Sequence, residues 1–153
     1  MITVEIARWL WDWAHESGRY VVPETFTIHT RHGDVTVPQG LLFDGASCAP
    51  NGSVELMRAW ALHDWLYATG KFDDGTQCPR PVADELMREL MRPYCWGWVV
   101  WMYWKAVRVG GVIPWERYRM MELHGMPTTR ILDPSLWRFP TWEAREAESI
   151  SAR

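Results

Sequence analysis

Residues 59–70, AWALHDWLYATG, set an imidazole, a carboxylate and a phenol close together as His63, Asp64 and Tyr67. In a helix, Tyr67 lies one turn past His63 on the same face, while Asp64 points about 100° around the axis. A DGAS string upstream carries Asp44 and Ser47, and PVADELMRELM downstream carries Asp84. If the two helices bearing His63 and Asp84 pack antiparallel, Asp84 reaches the imidazole. A buried carboxylate on one ring nitrogen fixes the tautomer and raises the basicity of the other, which makes a general base. Tyr67 would share that carboxylate. Asp64, turned aside, would join Asp44 and loop carbonyls as hard oxygen ligands suited to calcium. Such an ion polarises a carbonyl while His63 activates water.

The same residues admit a structural role. Arg80 or Arg88 could hold Asp84 in an ion pair with no chemistry attached. Ser47 and Cys48 are conceivable nucleophiles, but no GxSxG string supports them, and neither a P-loop nor a dinucleotide fingerprint is present. His29 and His32 flank a turn, His15 precedes a Ser-Gly break and His124 precedes a glycine; no HxxxH or HExxH spacing suggests zinc.

The elements that must position these residues follow from the pattern. Phe26–Thr30 and Val35–Val37 read as strands around an Arg31-His32-Gly33-Asp34 turn, within a β region from about 20 to 43. DGASCAPNG is a loop by composition. Helices are expected at about 53–69, with Ser53 as N-cap and Gly70 as C-cap, at 81–92 with Pro81 leading, and at 94–109 before Gly110-Gly111. Pro114 to Leu123 reads as a fourth, shorter helix. Over residues 2–15 the tryptophans fit both a strand and a helix. The fold class is therefore α+β and mainly helical, a β-hairpin packed on a two- to four-helix core. The expected domain spans 1–125, with a C-terminal arm over 126–153.

Composition narrows the function classes. With 153 residues, a net charge of −3 and a pI near 5.9, the chain lacks the basic footprint of a nucleic-acid binder. Three cysteines, Cys48, Cys78 and Cys95, without CxxC spacing argue against a disulfide framework or a structural zinc. The N-terminus lacks signal-peptide character, and no apolar run approaches a membrane span of roughly 20 residues. Twelve tryptophans are the outlier, and Trp favours interfaces with lipid or with protein.

Four ordered blocks, VPQGLLFDGASCAP, AWALHDWLYATG, Arg80-x-x-x-Asp84 preceded by Ala83, and MYWKAVRVGG, resemble an uncharacterised domain family of tailed phages and prophages. That resemblance covers about residues 35–111 and implies a phage origin, in the virion or the host cytoplasm. More distantly, residues 44–90 are similar to the small prokaryotic phospholipases of the A-two type. This second resemblance implies His63 as the water-activating base, Asp84 as its orienter with Tyr67 in support, and Asp64 with Asp44 as calcium ligands. It departs in having no signal peptide and no disulfides. The expected activity is calcium-assisted hydrolysis of a lipid ester, with the tryptophans seated on a membrane surface. The alternative is a virion structural or accessory protein of tail, neck or capsid, in which the cluster is a rigid network and the C-terminal arm contacts other subunits. Cell-wall hydrolysis has no motif in its favour.

Overall fold

The computed structural model describes residues 20–43 and 54–136, and the structural statements below concern these. Strands β1 (Tyr20–Val21), β2 (Phe26–Thr30), β3 (Gly33–Val37) and β4 (Leu42–Phe43) form two antiparallel pairs, β1 with β4 and β2 with β3. In the longer pair, Phe26 faces Val37 and Ile28 faces Val35, so the apolar alternation of both strands turns toward the core. The turn is tighter than expected. Thr30 already pairs with Gly33 and His29 with Asp34, leaving Arg31-His32 as the two turn residues. Leu42-Phe43 leaves the hairpin and pairs with Tyr20-Val21, which brings the segment leading to Asp44 against the body.

Helix α1 (Val54–Thr69) is the central element. Apolar residues run all around it, and ten of its sixteen residues are buried, which is the pattern of a helix enclosed on most sides. Gly70 ends it with φ of 64°, the left-handed conformation of a C-terminal glycine, and donates its N–H to Leu66 O at 2.8 Å. Arg119 completes the cap by donating to the carbonyls of Tyr67 at 3.1 Å and Ala68 at 2.8 Å. There is no room for a side chain at Gly70, because the Arg119 guanidinium occupies that space.

Helix α2 (Arg80–Met91) packs along α1 across the intervening loop, as the sequence anticipates. Its start lies one residue earlier than expected. Pro79 is the N-cap, and Pro81 falls in the first turn, where a missing N–H has no intrahelical partner. Ala83, Asp84, Leu86, Met87 and Met91 form the buried face. Helix α3 (Gly97–Gly110) begins three residues later than the composition suggests, because Tyr94 and Cys95 both donate back to Met91 O and Trp96 is extended. Helix α4 (Val112–Leu123) begins two residues before Pro114 and also packs on α1.

Beyond α4 the chain returns to the sheet. Ile131 bridges to Leu41, Leu42 donates to Arg130 O at 2.9 Å and Leu132 donates to Gly40 O at 2.8 Å. A 3-10 turn over Pro134–Leu136 follows. The base of the expected C-terminal arm thus lies on the chain's own body. The ambiguous aromatic stretch 2–15, the DGAS loop with Ser47, Cys48 and the Ser53 cap, and the end of the arm from 137 fall outside the described residues. The protein is α+β and mainly helical, with α1 and α2 carrying the two halves of the polar cluster.

Candidate functional site

Asp84 is the centre of the cluster. It is fully buried, and α1, α2 and α3 bring four polar partners onto its two oxygens. Oδ1 faces His63 Nε2 at 3.0 Å and accepts the Tyr67 hydroxyl at 2.6 Å. Oδ2 accepts Arg108 Nη1 at 3.2 Å and Arg80 Nη1 at 3.5 Å, and Arg80 also donates to the Arg108 carbonyl at 3.0 Å. A carboxylate removed from water needs this density of donors to remain ionised. Burial pushes its pKa up, but the hydrogen bonds from His63, Tyr67 and Arg108 outweigh that and hold it below the usual carboxylate range.

The expected His63–Asp84–Tyr67 arrangement is therefore present. With Asp84 ionised, the neutral form of His63 carries its proton on Nε2 toward Oδ1 and has its lone pair on Nδ1. The rings of His63 and Tyr67 lie 4.1 Å apart, and Trp115 of α4 meets Tyr67 edge-on at 5.3 Å. These aromatic contacts fix both side chains over the carboxylate. The backbone helps at one further point: Gly111, between α3 and α4, approaches the Tyr67 hydroxyl so closely that a Cβ there would lie 2.2 Å from it.

Asp64 departs from the expectation. Rather than pointing wholly aside, its Oδ1 comes within 3.7 Å of His63 Nδ1, the nitrogen left open by Asp84. That separation is too long for a direct hydrogen bond. His63 is only 7% exposed, whereas the Asp64 side chain is 29% exposed.

Of the two arginines considered for Asp84, Arg80 pairs with it, while Arg88 pairs with Glu85 at 2.7 Å. Arg108 is the partner the sequence reading missed. Its signal is a second cation in an otherwise apolar helix, beside Lys105. Cys78 is buried near Asp84; desolvation and that negative charge push its thiol up to about 11, which leaves it un-ionised and unreactive at neutral pH.

For calcium, the described donor set is incomplete. Among the described residues, Asp64 is the carboxylate beside His63 Nδ1, and no three histidines, cysteines or acids converge as a metal site. Asp44, the second expected ligand, lies outside the described residues. No described helix is long and apolar enough to cross a membrane.

The His63–Asp84 pair predicts a pH dependence of folding. Burial pulls the His63 pKa down, but hydrogen bonding and charge from Asp64 and Asp84 override it, leaving the group above its ordinary 6.5. At 3.7 Å, Asp64 acts by charge, and Asp84 supplies the hydrogen bond. A raised histidine contributes stability that is complete below pH 6.5 and disappears as pH rises through the folded value. The depressed Asp84 contributes above pH 3.8 and is lost as pH falls through its folded value. The midpoint of urea unfolding should therefore be higher at pH 5.5 than at pH 8.5. His63→Asn should flatten that slope, and an equal slope in the variant would show that another group sets it.

Compared with protein-family models, curated proteins and solved structures, the chain has no match.

Proposed function

We propose that the protein is a phage- or prophage-encoded ester hydrolase of phospholipase type, with His63 as general base. The observation that carries this reading is the division of labour around one imidazole. Asp84 Oδ1 holds Nε2 at 3.0 Å and is itself pinned by Tyr67, while Nδ1 faces the partly exposed Asp64. In this scheme Nδ1 takes a proton from water as the oxygen attacks the ester carbonyl, and Asp84 stabilises the imidazolium that forms. Collapse of the tetrahedral intermediate breaks the ester C–O bond. His63 returns the proton to the departing alkoxide, so acid and alcohol leave and the imidazole is neutral again. Asp64 and Asp44 are proposed to hold a calcium ion, which when bound would polarise the carbonyl.

Two measurements test this. Calcium titration by calorimetry should give saturable binding to the wild type that is lost in Asp64→Asn. Hydrolysis of a short-chain phosphatidylcholine should fall by about 10²–10⁴-fold in His63→Asn with the far-UV spectrum unchanged. Its rate in the wild type should climb with pH as His63 loses its proton, opposite in direction to the stability. No hydrolysis together with no calcium binding would sink the enzyme reading.

One observation favours the second reading, a virion structural or accessory protein. Asp84 faces two guanidiniums in addition to His63 and Tyr67, which neutralise it without any help from an imidazolium. Such over-determination suits a network that fixes the approach of three helices. Under that reading His63→Asn lowers stability, and the inert wild type binds neither calcium nor lipid ester.

A further inference from the structure

Helix α3 has a single buried residue, Val100, although it is rich in aromatics. Its inner side, with Val100, Tyr103 and Val107, packs on the core. Positions 98, 101, 102, 105, 106 and 109 follow the i, i+3, i+4, i+7, i+8, i+11 spacing of one helical face. All six are exposed: Trp98, Trp101, Met102, Lys105, Ala106 and Val109. Trp98 and Trp101 are 62% and 58% open to solvent. Trp96 before the helix and Ile113 after it are exposed as well. A contiguous apolar face of this kind is an interaction surface rather than ordinary scatter.

Charge decides among occupants. From Leu90 to Trp115 the chain has no acidic residue, and its ionisable side chains of fixed charge are Arg92, Lys105 and Arg108. Lys105 sits within the stripe, its ammonium 5.8 Å from the Trp101 ring and 5.0 Å from Trp104. Arg108 is already answered within the chain by Asp84 at 3.2 Å, so Lys105 is the cation of the exposed face, and a second copy docked face to face would set one Lys105 against the other. An anionic lipid surface supplies Lys105 with a counter-charge. Indole rings favour the headgroup boundary, and a lysine within an apolar stripe can bury its stem while its ammonium reaches a phosphate. At 14 residues α3 is about 21 Å long, suited to lying in the plane of the interface and too short to cross it.

We infer that the outer face of α3, centred on Trp98, Trp101 and Lys105, is an interfacial binding surface for anionic phospholipid. The inference concerns adsorption alone and stands whether or not His63 hydrolyses anything.

The test is flotation with vesicles of phosphatidylcholine alone and of phosphatidylcholine with phosphatidylglycerol, using the full chain and its His63→Asn variant so that turnover plays no part. Both should bind the anionic vesicles more tightly than the neutral ones, and added salt should weaken that binding. Trp98→Ala with Trp101→Ala should weaken it by about tenfold or more, through lost apolar burial. Lys105→Glu should reduce the preference for the anionic vesicles while leaving far-UV dichroism unchanged, because its side chain is exposed. Absence of binding, or equal binding by the tryptophan double variant, would overturn the inference. So would a dimer in sedimentation equilibrium that Trp101→Glu converts to monomer, since a second copy would then own the face.

Discussion

Asp84→Ala is expected to destabilise the protein by about 3–5 kcal/mol, because it strips four donors of one buried acceptor. The side chain has no solvent exposure, so water cannot take its place without opening the core. His63 Nε2 and the Tyr67 hydroxyl lose Oδ1, while Arg80 and Arg108 face each other across a cavity with no anion between them. For a chain of this size the loss corresponds to a fall in melting temperature of about 10 °C. Asp84→Asn keeps the volume and isolates the charge. Its amide oxygen can still accept from Tyr67 and His63, but its NH₂ must then face the guanidiniums, so it too should be strongly destabilised. Urea unfolding of the two variants separates cavity from charge. A cost under about 1 kcal/mol for Asp84→Ala would mean that solvent reaches the site freely. Apolar residues of similar volume could join the same helices without desolvating five polar groups, so stability alone does not account for this cluster.

The cluster was legible in the sequence to the extent that it was local. His63, Tyr67 and Asp84 could be paired from helical spacing plus one antiparallel packing, because α1 and α2 are consecutive along the chain. Gly70 as a C-cap rests on the same kind of local geometry, a glycine placed just past a helical pattern. Contributions from farther along the chain were not readable. Arg108 reaches Asp84 across 24 positions and Arg119 reaches the α1 carbonyls across 51 or 52, and neither distance follows from periodicity. The closeness of Asp64 to Nδ1 was missed for another reason. Helical phase fixes the direction of a Cα–Cβ bond, but a carboxylate can rotate back toward a neighbouring ring. Tryptophan content alone did not separate core from surface either. Trp60 is buried against Tyr103, whereas Trp98 and Trp101 face solvent, and only the packing of α3 distinguishes them.

Gly111→Ala is the second large effect, and local reasoning predicts its sign wrongly. Gly111 has φ of −71°, which any residue adopts, so loss of unfolded-state entropy would favour alanine by about 0.4–1 kcal/mol. The surroundings reverse this. A Cβ would lie 2.2 Å from the Tyr67 hydroxyl, 2.4 Å from Val107 O and 3.1 Å from Tyr67 Cζ. The hydroxyl cannot step aside cheaply, because Asp84 holds it at 2.6 Å and Trp115 abuts its ring. Either α3 and α4 separate at their junction or Tyr67 abandons Asp84, and overpacking of this kind costs about 2–3 kcal/mol. A double-mutant cycle distinguishes the two routes. Tyr67→Phe alone should cost about 1.5–3 kcal/mol, the worth of a hydrogen bond to a charged acceptor. If the phenol is what Gly111 protects, Gly111→Ala should cost clearly less in the Tyr67→Phe background, with the remainder set by the Val107 carbonyl. Full additivity would assign the whole penalty to the helix junction and would separate the glycine from the His63 site.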